Sequence, residues 1–146
     1  MEENGKLISS LLESLPPLDQ VILDDTAAYP AQLDDWLRQC AKDGEIPFVW
    51  DTVAPVLAIK TIGILNSYFH KHGFLGPIVQ TFEQRKAQIL RLFSNRRHYP
   101  FTIQRLLEVL LDPDRYYQST HKLMNAIEKL LLITLPPERK RRKVMR

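Results

Sequence analysis

Two closely spaced histidines and a single cysteine are the side chains that first suggest metal binding or nucleophilic chemistry in this 146-residue chain. His70 and His72 stand at the predicted end of a long helix, and no third ligand clusters with them. A zinc site needs three or four protein ligands, so we assign no metal. Cys40 has no internal disulfide partner and no histidine or asparagine at a motif-like spacing. We expect it to be a buried apolar side chain and not a catalytic thiolate.

Paired carboxylates are the second chemical feature of the chain. Asp24-Asp25 and Asp34-Asp35 are neighbours in a predicted loop and a predicted first helical turn, without a convergent base or ligand set. The loop around Gly73 and Gly76 has neither the GxGxxG nor the GKS/T pattern that cradles phosphate. The sequence therefore predicts no enzyme and no cofactor.

Charge is distributed unevenly along the chain. Residues 1–59 hold 11 acidic and 3 basic side chains, a net charge of −8, whereas residues 60–137 hold 5 and 11, a net charge of +6. Residues 138–146 hold 1 and 6, a net charge of +5. An acidic half and a basic half favour protein partners, and most of the excess positive charge lies in the tail.

Apolar residues recur at helical spacing in six segments, which predicts an all-α fold. We expect one compact multi-helix domain over residues 1–135 and a basic, disordered tail over residues 136–146. Residues 16–30 are predicted to be an irregular connection because prolines bracket them. The longest helix is predicted to begin after Asp51 as N-cap, and Gly63 within it is a candidate for a close helix crossing.

The chain is expected to be soluble and intracellular. Its acidic N-terminus differs from the positively charged start of a signal peptide. Pro55, Lys60 and Asn66 interrupt the longest apolar helix, so we expect no membrane span.

Residues 81–97 are predicted to form a helix with a buried apolar face and an outer basic face. Thr81 to Gln84 match a capping box. The cations are expected to be a solvated face or, alternatively, a docking patch for an acidic partner. They are Arg85, Lys86, Arg91, Arg96 and Arg97.

Residues 99–132 read as two helices and a turn. Thr102 is the predicted N-cap of the first helix, Asp112-Pro113 interrupts it, and Ser119 or Thr120 caps the second. The end of the second helix, "LLLITL", is β-branched and followed by two prolines, so a short extended segment and a winged-helix-like ending are also considered.

The stretch "PFTIQRLLEVLLDPDRYYQSTHKLMNAIEK", Pro100 to Lys129, resembles the signature of the protein phosphatase 4 regulatory subunit 2 family. The heptapeptide Pro100 to Leu106 matches in full, and the resemblance covers about residues 31–134. Family members commonly carry an acidic region after this domain, whereas this chain turns basic. The resemblance implies a non-catalytic subunit that binds the phosphatase 4 catalytic subunit and a further scaffold subunit, and that directs activity or location.

The polar and exposed positions of the signature and the preceding basic patch are our candidates for partner binding. They are Phe101, Thr102, Gln104, Arg105, Asp112, Arg115, Arg96 and Arg97.

Two further readings remain open. Residues 102–135 could form a nucleic-acid-binding helix-turn-helix or winged-helix module, although the recognition helix would expose few cations. The tail residues Lys140, Arg141, Arg142 and Lys143 fit a nuclear-localisation signal read by an import receptor, which predicts a protein of nucleus and cytoplasm.

Overall fold

The structure is a computed structural model that describes residues 2–24, 26–74 and 81–133. Within these ranges the chain forms α-helices and one short 3-10 helix, Pro113–Arg115, and no strand. The prediction of an all-α fold is confirmed. The α-helices are α1 (Glu2–Glu13), α2 (Leu18–Asp24), α3 (Leu33–Asp43), α4 (Trp50–His72), α5 (Thr81–Ser94), α6 (Ile103–Leu111) and α7 (Thr120–Leu132).

Helix α4 is the centre of the fold because apolar side chains cover most of its circumference. It packs against α1, α2, α5, α6 and α7. Its side chains Val53, Val56, Leu57 and Leu65 are completely buried. An element coated with apolar residues is stable only when other helices surround it, which accounts for its position.

By length and composition alone α4 could cross a membrane. Pro55, Lys60 and Asn66 interrupt the run of apolar residues, but the mean hydropathy of the helix remains high. However, 61% of the apolar window is buried against other helices of the domain. This is the burial of a core helix.

The start of α4 is locked by its first residue, Trp50. The indole Nε1 donates a hydrogen bond to the carbonyl oxygen of Phe93 at 3.1 Å. The ring stacks on Phe93 and meets Tyr99 edge to face, with centroids 5.9 and 5.3 Å away. The N-cap is Val49 and not Asp51, which instead lies in the first turn. The buried indole, more than a capping oxygen, fixes where this helix begins.

Helix α2 corrects the prediction of an irregular connection over residues 16–30. Pro17 stands at the N-cap position just before α2, and its carbonyl oxygen accepts a hydrogen bond from the Val21 amide at 3.0 Å. The missing N–H of the proline removes no hydrogen bond from the helix there. Val21 is buried and Asp19 lies in the first turn, where the helix dipole favours an acid. Seven residues carry too little periodicity to be recognised between prolines.

Gly63 does not mark a close helix crossing. It is exposed, and a Cβ atom added there would have no neighbour within 4 Å. The expectation was therefore wrong, since the surrounding helices pack on other faces of α4.

Helix α5 has the predicted apolar face, with Phe82, Ile89, Leu90 and Phe93 buried. Lys86 was predicted to point outward but is 4% exposed. Its Nζ lies 2.9 Å from Asn66 Oδ1 and 3.1 Å from a Glu83 carboxylate oxygen, so polar partners offset its burial. The predicted capping hydroxyl of Thr81 lies outside the described side chains.

Candidate partner-binding site

A cleft of about 480 Å³ opens between the C-terminal half of α3 and the outer face of α6. We call it the α3–α6 cleft. Four of the eight predicted site residues, Gln104, Arg105, Asp112 and Arg115, lie in it or at its edge. Its lining side chains are Arg38, Ala41, Lys42, Gln104, Glu108, Leu111, Asp112, Arg115 and Tyr116.

Gln104 joins the two walls of the cleft. Its side-chain Nε2 donates a hydrogen bond to the carbonyl oxygen of Ala41 at 2.5 Å. That carbonyl lies in the last turn of α3, where helical C=O groups lack internal partners. Gly44 ends α3 in the left-handed conformation, with φ of 73°, and its amide bonds the Cys40 carbonyl. Gln104 is therefore occupied within the fold.

Arg105 stands on the outer edge and is about half exposed. Its Nη1 lies 3.4 Å from Glu108 Oε1, and its guanidinium carbon lies 4.2 Å from the centre of the Tyr116 ring. Burial acts to lower the pKa of Arg105, but hydrogen bonding to Glu108 and the nearby tyrosine hydroxyls outweigh it and raise that pKa. A planar cation held over a ring, yet open to solvent, is well placed to meet a partner.

The far wall is built by Asp112 and the 3-10 helix. Asp112 ends α6, and its carbonyl oxygen accepts from the Arg115 amide at 3.2 Å. Tyr68 holds this turn against α4, since its hydroxyl donates toward Asp114 Oδ1 at 2.7 Å and the Tyr117 carbonyl at 2.8 Å. Burial, reinforced by Asp114, raises the pKa of Tyr68. The turn is therefore fixed and presents Arg115 to solvent.

Thr102 and Arg96 do not line the cleft and instead bind backbone carbonyls at the C-terminal end of α7. Thr102 Oγ1 donates to the Leu130 carbonyl at 2.7 Å, and Arg96 Nη1 donates to the Leu131 carbonyl at 2.6 Å. Thr102 is the N-cap position of α6, as predicted, but its hydroxyl does not cap that helix. Burial lowers the pKa of Arg96. Both side chains stabilise α7 by binding carbonyls that lack a helical partner.

Arg97 and Phe101 are the two remaining predicted site residues. Arg97 is exposed, and Phe101 is 43% exposed. Neither lines the α3–α6 cleft. The eight predicted residues therefore divide among a cleft, a helix cap and open surface.

Six lining residues were not predicted. They are Arg38, Ala41 and Lys42 from α3, and Glu108, Leu111 and Tyr116 from the signature. Arg38 and Lys42 are four residues apart, which places them on one side of α3. Helical spacing predicts that Arg38 and Lys42 share a face of α3, but only the tertiary fold shows that this face borders α6.

Cys40 and the histidine pair behave as core and surface groups. Burial raises the pKa of the Cys40 thiol to about 11, so the prediction of a buried apolar side chain is confirmed. The His72 ring packs 5.1 Å from Tyr68. In the described part of the chain no three His, Cys, Asp or Glu side chains form a group able to hold a metal.

The helix-turn-helix formed by α6 and α7 uses polar side chains of α7 internally. Of the two predicted N-cap candidates for α7, Ser119 and Thr120, the structure has Ser119, whose hydroxyl oxygen accepts from the Lys122 amide at 3.2 Å. Arg85 of α5 reaches Asn125 Oδ1 at 2.6 Å and Glu128 Oε1 at 3.0 Å. The winged-helix alternative placed a short extended segment in "LLLITL", residues 130–135. Residues 130–132 are instead the end of α7, so that part of the alternative was wrong, and residues 134 and 135 lie outside the described residues.

The fold and the site define an all-α domain with a surface cleft lined by charges of both signs. A family model described as PPP4R2 matches residues 17–144, and the chain therefore belongs to the PPP4R2 family. This confirms the resemblance inferred from Pro100 to Lys129.

Three relatives illustrate the match. Serine/threonine-protein phosphatase 4 regulatory subunit 2 of Drosophila melanogaster is 29% identical over 148 residues, which cover 95% of this chain and 23% of that protein. The Homo sapiens protein of the same name and regulatory subunit 2-A of Danio rerio are each 31% identical over 107 residues, 69% of this chain and 26% of theirs. The chain thus spans about a quarter of the relatives' length. No solved structure gives a significant match to the chain.

Proposed function

We propose that this chain is a non-catalytic regulatory subunit that binds the catalytic subunit of a protein phosphatase 4-type enzyme through the α3–α6 cleft. Relatives named as phosphatase 4 regulatory subunits support the class of function. One observation supports the choice of this surface. The polar signature residues that make no hydrogen bond to another helix lie along this cleft.

We choose this surface because some signature residues have structural roles within the fold and others remain exposed. Leu106, Leu107 and Leu110 are buried, and Thr102 and Gln104 are bonded to backbone carbonyls of other helices. Arg105, Asp112 and Arg115 remain exposed. Exposed charges next to a rigid cleft can determine partner choice and association rate.

Binding would give the subunit its regulatory effect through position. Tethering a substrate next to the active site of the catalytic subunit raises its effective concentration to about millimolar. A further scaffold subunit would contact the remaining surface, for which the exposed Arg97 and Phe101 are candidates. The Cys40 thiol is buried and has a raised pKa, which agrees with a non-catalytic role.

Affinity capture tests the proposal. The intact chain, immobilised, should retain a phosphatase 4-type catalytic subunit from cell extract. Arg105→Glu should reduce retention about tenfold, since it removes a guanidinium from the interface and places a carboxylate beside Glu108. Arg91→Glu is the matched control, because Arg91 is an exposed arginine of α5 that does not line the cleft.

Thermal melting separates binding from folding in this experiment. If both variants melt close to the parent chain and only Arg105→Glu loses the catalytic subunit, the cleft is the docking surface. Equal retention by all three chains would place docking elsewhere. Recovery of DNA or RNA in place of a phosphatase would instead favour the hypothesis of a nucleic-acid-binding module. The structure argues against that hypothesis, because Arg85 binds Asn125 and Glu128, two polar side chains of the would-be recognition helix α7.

The proposed location, nucleus and cytoplasm, rests on the basic tail. Lys140, Arg141, Arg142 and Lys143 follow two prolines and match a segment read by an import receptor. Removal of residues 138–146 should shift the protein toward the cytoplasm in imaging. An unchanged nuclear share would show that these residues are not an import signal.

A further inference from the structure

The five tyrosines of the chain differ in what their hydroxyl groups do. Tyr29 donates to Asp34, Tyr68 donates toward Asp114, and Tyr99 donates to the Phe48 carbonyl at 2.8 Å. These three hydroxyls are part of the fold. Burial raises the pKa of each one. Tyr116 and Tyr117 are the remaining two.

Tyr116 and Tyr117 lie in the irregular segment between the 3-10 helix and α7, and both are half-buried. Only Tyr116 lines the α3–α6 cleft. Arg105 and Arg115 both approach its ring, with guanidinium carbons 4.2 and 5.9 Å from the ring centre.

The cleft around Tyr116 has an excess of unpaired positive charge. Arg38, Lys42 and Arg115 form no ion pair with any described residue. Arg105 is ion-paired with Glu108 and also lies beside the Tyr116 hydroxyl. The one acid of the cleft that is likewise unpaired in the described chain is Asp112. A phosphate group carries a charge of about −1.5 to −2 and three strong acceptor oxygens. On Tyr116 it would lie near Arg105 and Arg115, the two cations that approach the ring.

We propose that Tyr116 is a phosphorylation site of a protein tyrosine kinase and that its phosphate blocks docking at the α3–α6 cleft. The phenolic oxygen attacks the γ-phosphorus of ATP, the new O–P bond forms as the β–γ bridging bond breaks, ADP leaves, and the phenolic proton passes to the kinase base. Asp112 and Asp114 precede Tyr116 and offer negative charge to a basic substrate groove of the kinase.

The effect on docking rests on the proposed function. Phosphate on Tyr116 competes with Glu108 for Arg105, because a dianion attracts the guanidinium more strongly than one exposed carboxylate. Arg105 is then neutralised. The four cations and two acids in and beside the cleft carry a net charge of +2, which the phosphate lowers to about zero. Conversely, a bound catalytic subunit would cover Tyr116. The kinase therefore acts on this chain only when the catalytic subunit is not bound to it.

Three chains make the test specific: the parent, Tyr116→Phe and Tyr117→Phe. Tyr116→Phe keeps the ring on which Arg105 packs and removes only the acceptor oxygen, and Tyr117→Phe is its neighbour-matched control. Each chain is incubated with a purified tyrosine kinase domain and magnesium ATP, and phosphate is located by mass spectrometry. Each is then applied to the catalytic subunit, with circular dichroism as the check of folding.

We expect phosphate on Tyr116 in the parent and in Tyr117→Phe, and at least about a tenfold loss of retention in both after kinase treatment. For Tyr116→Phe, retention after kinase treatment should equal the retention of the same variant before treatment, whatever that level is. Phosphate mainly on Tyr117, or on no tyrosine of the folded chain, would overturn the site. Phosphate on Tyr116 with unchanged retention would overturn its control of docking.

Failure of the proposed function would look different. In that case the untreated parent chain would not retain the catalytic subunit at all. Mass spectrometry would still show whether Tyr116 is phosphorylated, independently of docking.

Discussion

The guanidinium carbon of Arg105 lies 4.2 Å from the centre of the Tyr116 ring, which couples α6 to the segment that follows the 3-10 helix. An exposed cation over an aromatic ring contributes about 0.5–1 kcal/mol. We therefore expect a double-mutant cycle of Arg105→Ala and Tyr116→Ala to give a coupling of about that size in the free energy of unfolding. Urea unfolding of the four chains measures it, and additive effects would contradict the coupling.

Gly63→Ala should stabilise the domain. The residue lies in the interior of α4, is exposed, and has open space where a Cβ would stand. Glycine in a helix interior costs about 0.8–1 kcal/mol relative to alanine, so the free energy of unfolding should rise by up to that amount. Gly44→Ala is the control of opposite sign, because the φ of 73° at Gly44 strains any side chain. A lower melting temperature for Gly63→Ala would show that the glycine has a structural role.

Thr102→Val should destabilise the domain without weakening capture of the catalytic subunit. The change keeps the shape of the side chain but removes the donor to the Leu130 carbonyl, a hydrogen bond worth about 0.5–1.5 kcal/mol. Thr102→Ser retains the hydroxyl and should stay close to the parent. Melting and capture are measured on all three chains. Lost capture at unchanged stability would make Thr102 a contact residue.

Stability should fall at alkaline pH. Burial raises the pKa of Cys40 to about 11 and also raises the pKa values of Tyr29, Tyr68 and Tyr99. The folded chain therefore keeps protons that the unfolded chain releases at ordinary values of about 8.5 for cysteine and about 10 for tyrosine. The stabilisation is complete below those values and is lost as pH rises through the folded pKa.

Urea unfolding at several pH values from about 8 to about 11 measures this loss. Cys40→Ala removes one of the titrating groups, so its stability should decline less steeply than that of the parent. A stability that stays level or increases over the range would contradict the burial of these groups.

Sequence reasoning succeeded where a local pattern determines the outcome. Ser119 caps α7 because the capping geometry involves only the next three residues. Cys40 is buried because it lies in the apolar stripe of its own helix. Helix α2 was missed because seven residues between prolines offer little periodicity, and its one buried contact residue, Val21, is decided by the tertiary fold.

The candidate site could be predicted only in part, for the same physical reason. The signature residues can be recognised in the sequence, but the structural role of each depends on hydrogen-bond partners that are distant along the chain. Thr102 binds a carbonyl 28 residues away, Arg96 one 35 residues away and Gln104 one 63 residues away. Arg105 differs because its partner Glu108 is local, which leaves it on the surface.

The 63-residue separation between Gln104 and Ala41 has a consequence for assembly in the cell. One wall of the cleft comes from α3 and the other from α6, so a chain in which only α6 and α7 have folded carries the whole signature and no cleft. Long-range contacts of this kind form late. Under the proposed function, a chain in which α3 or α6 is missing or unfolded would lack the docking surface and would not be incorporated.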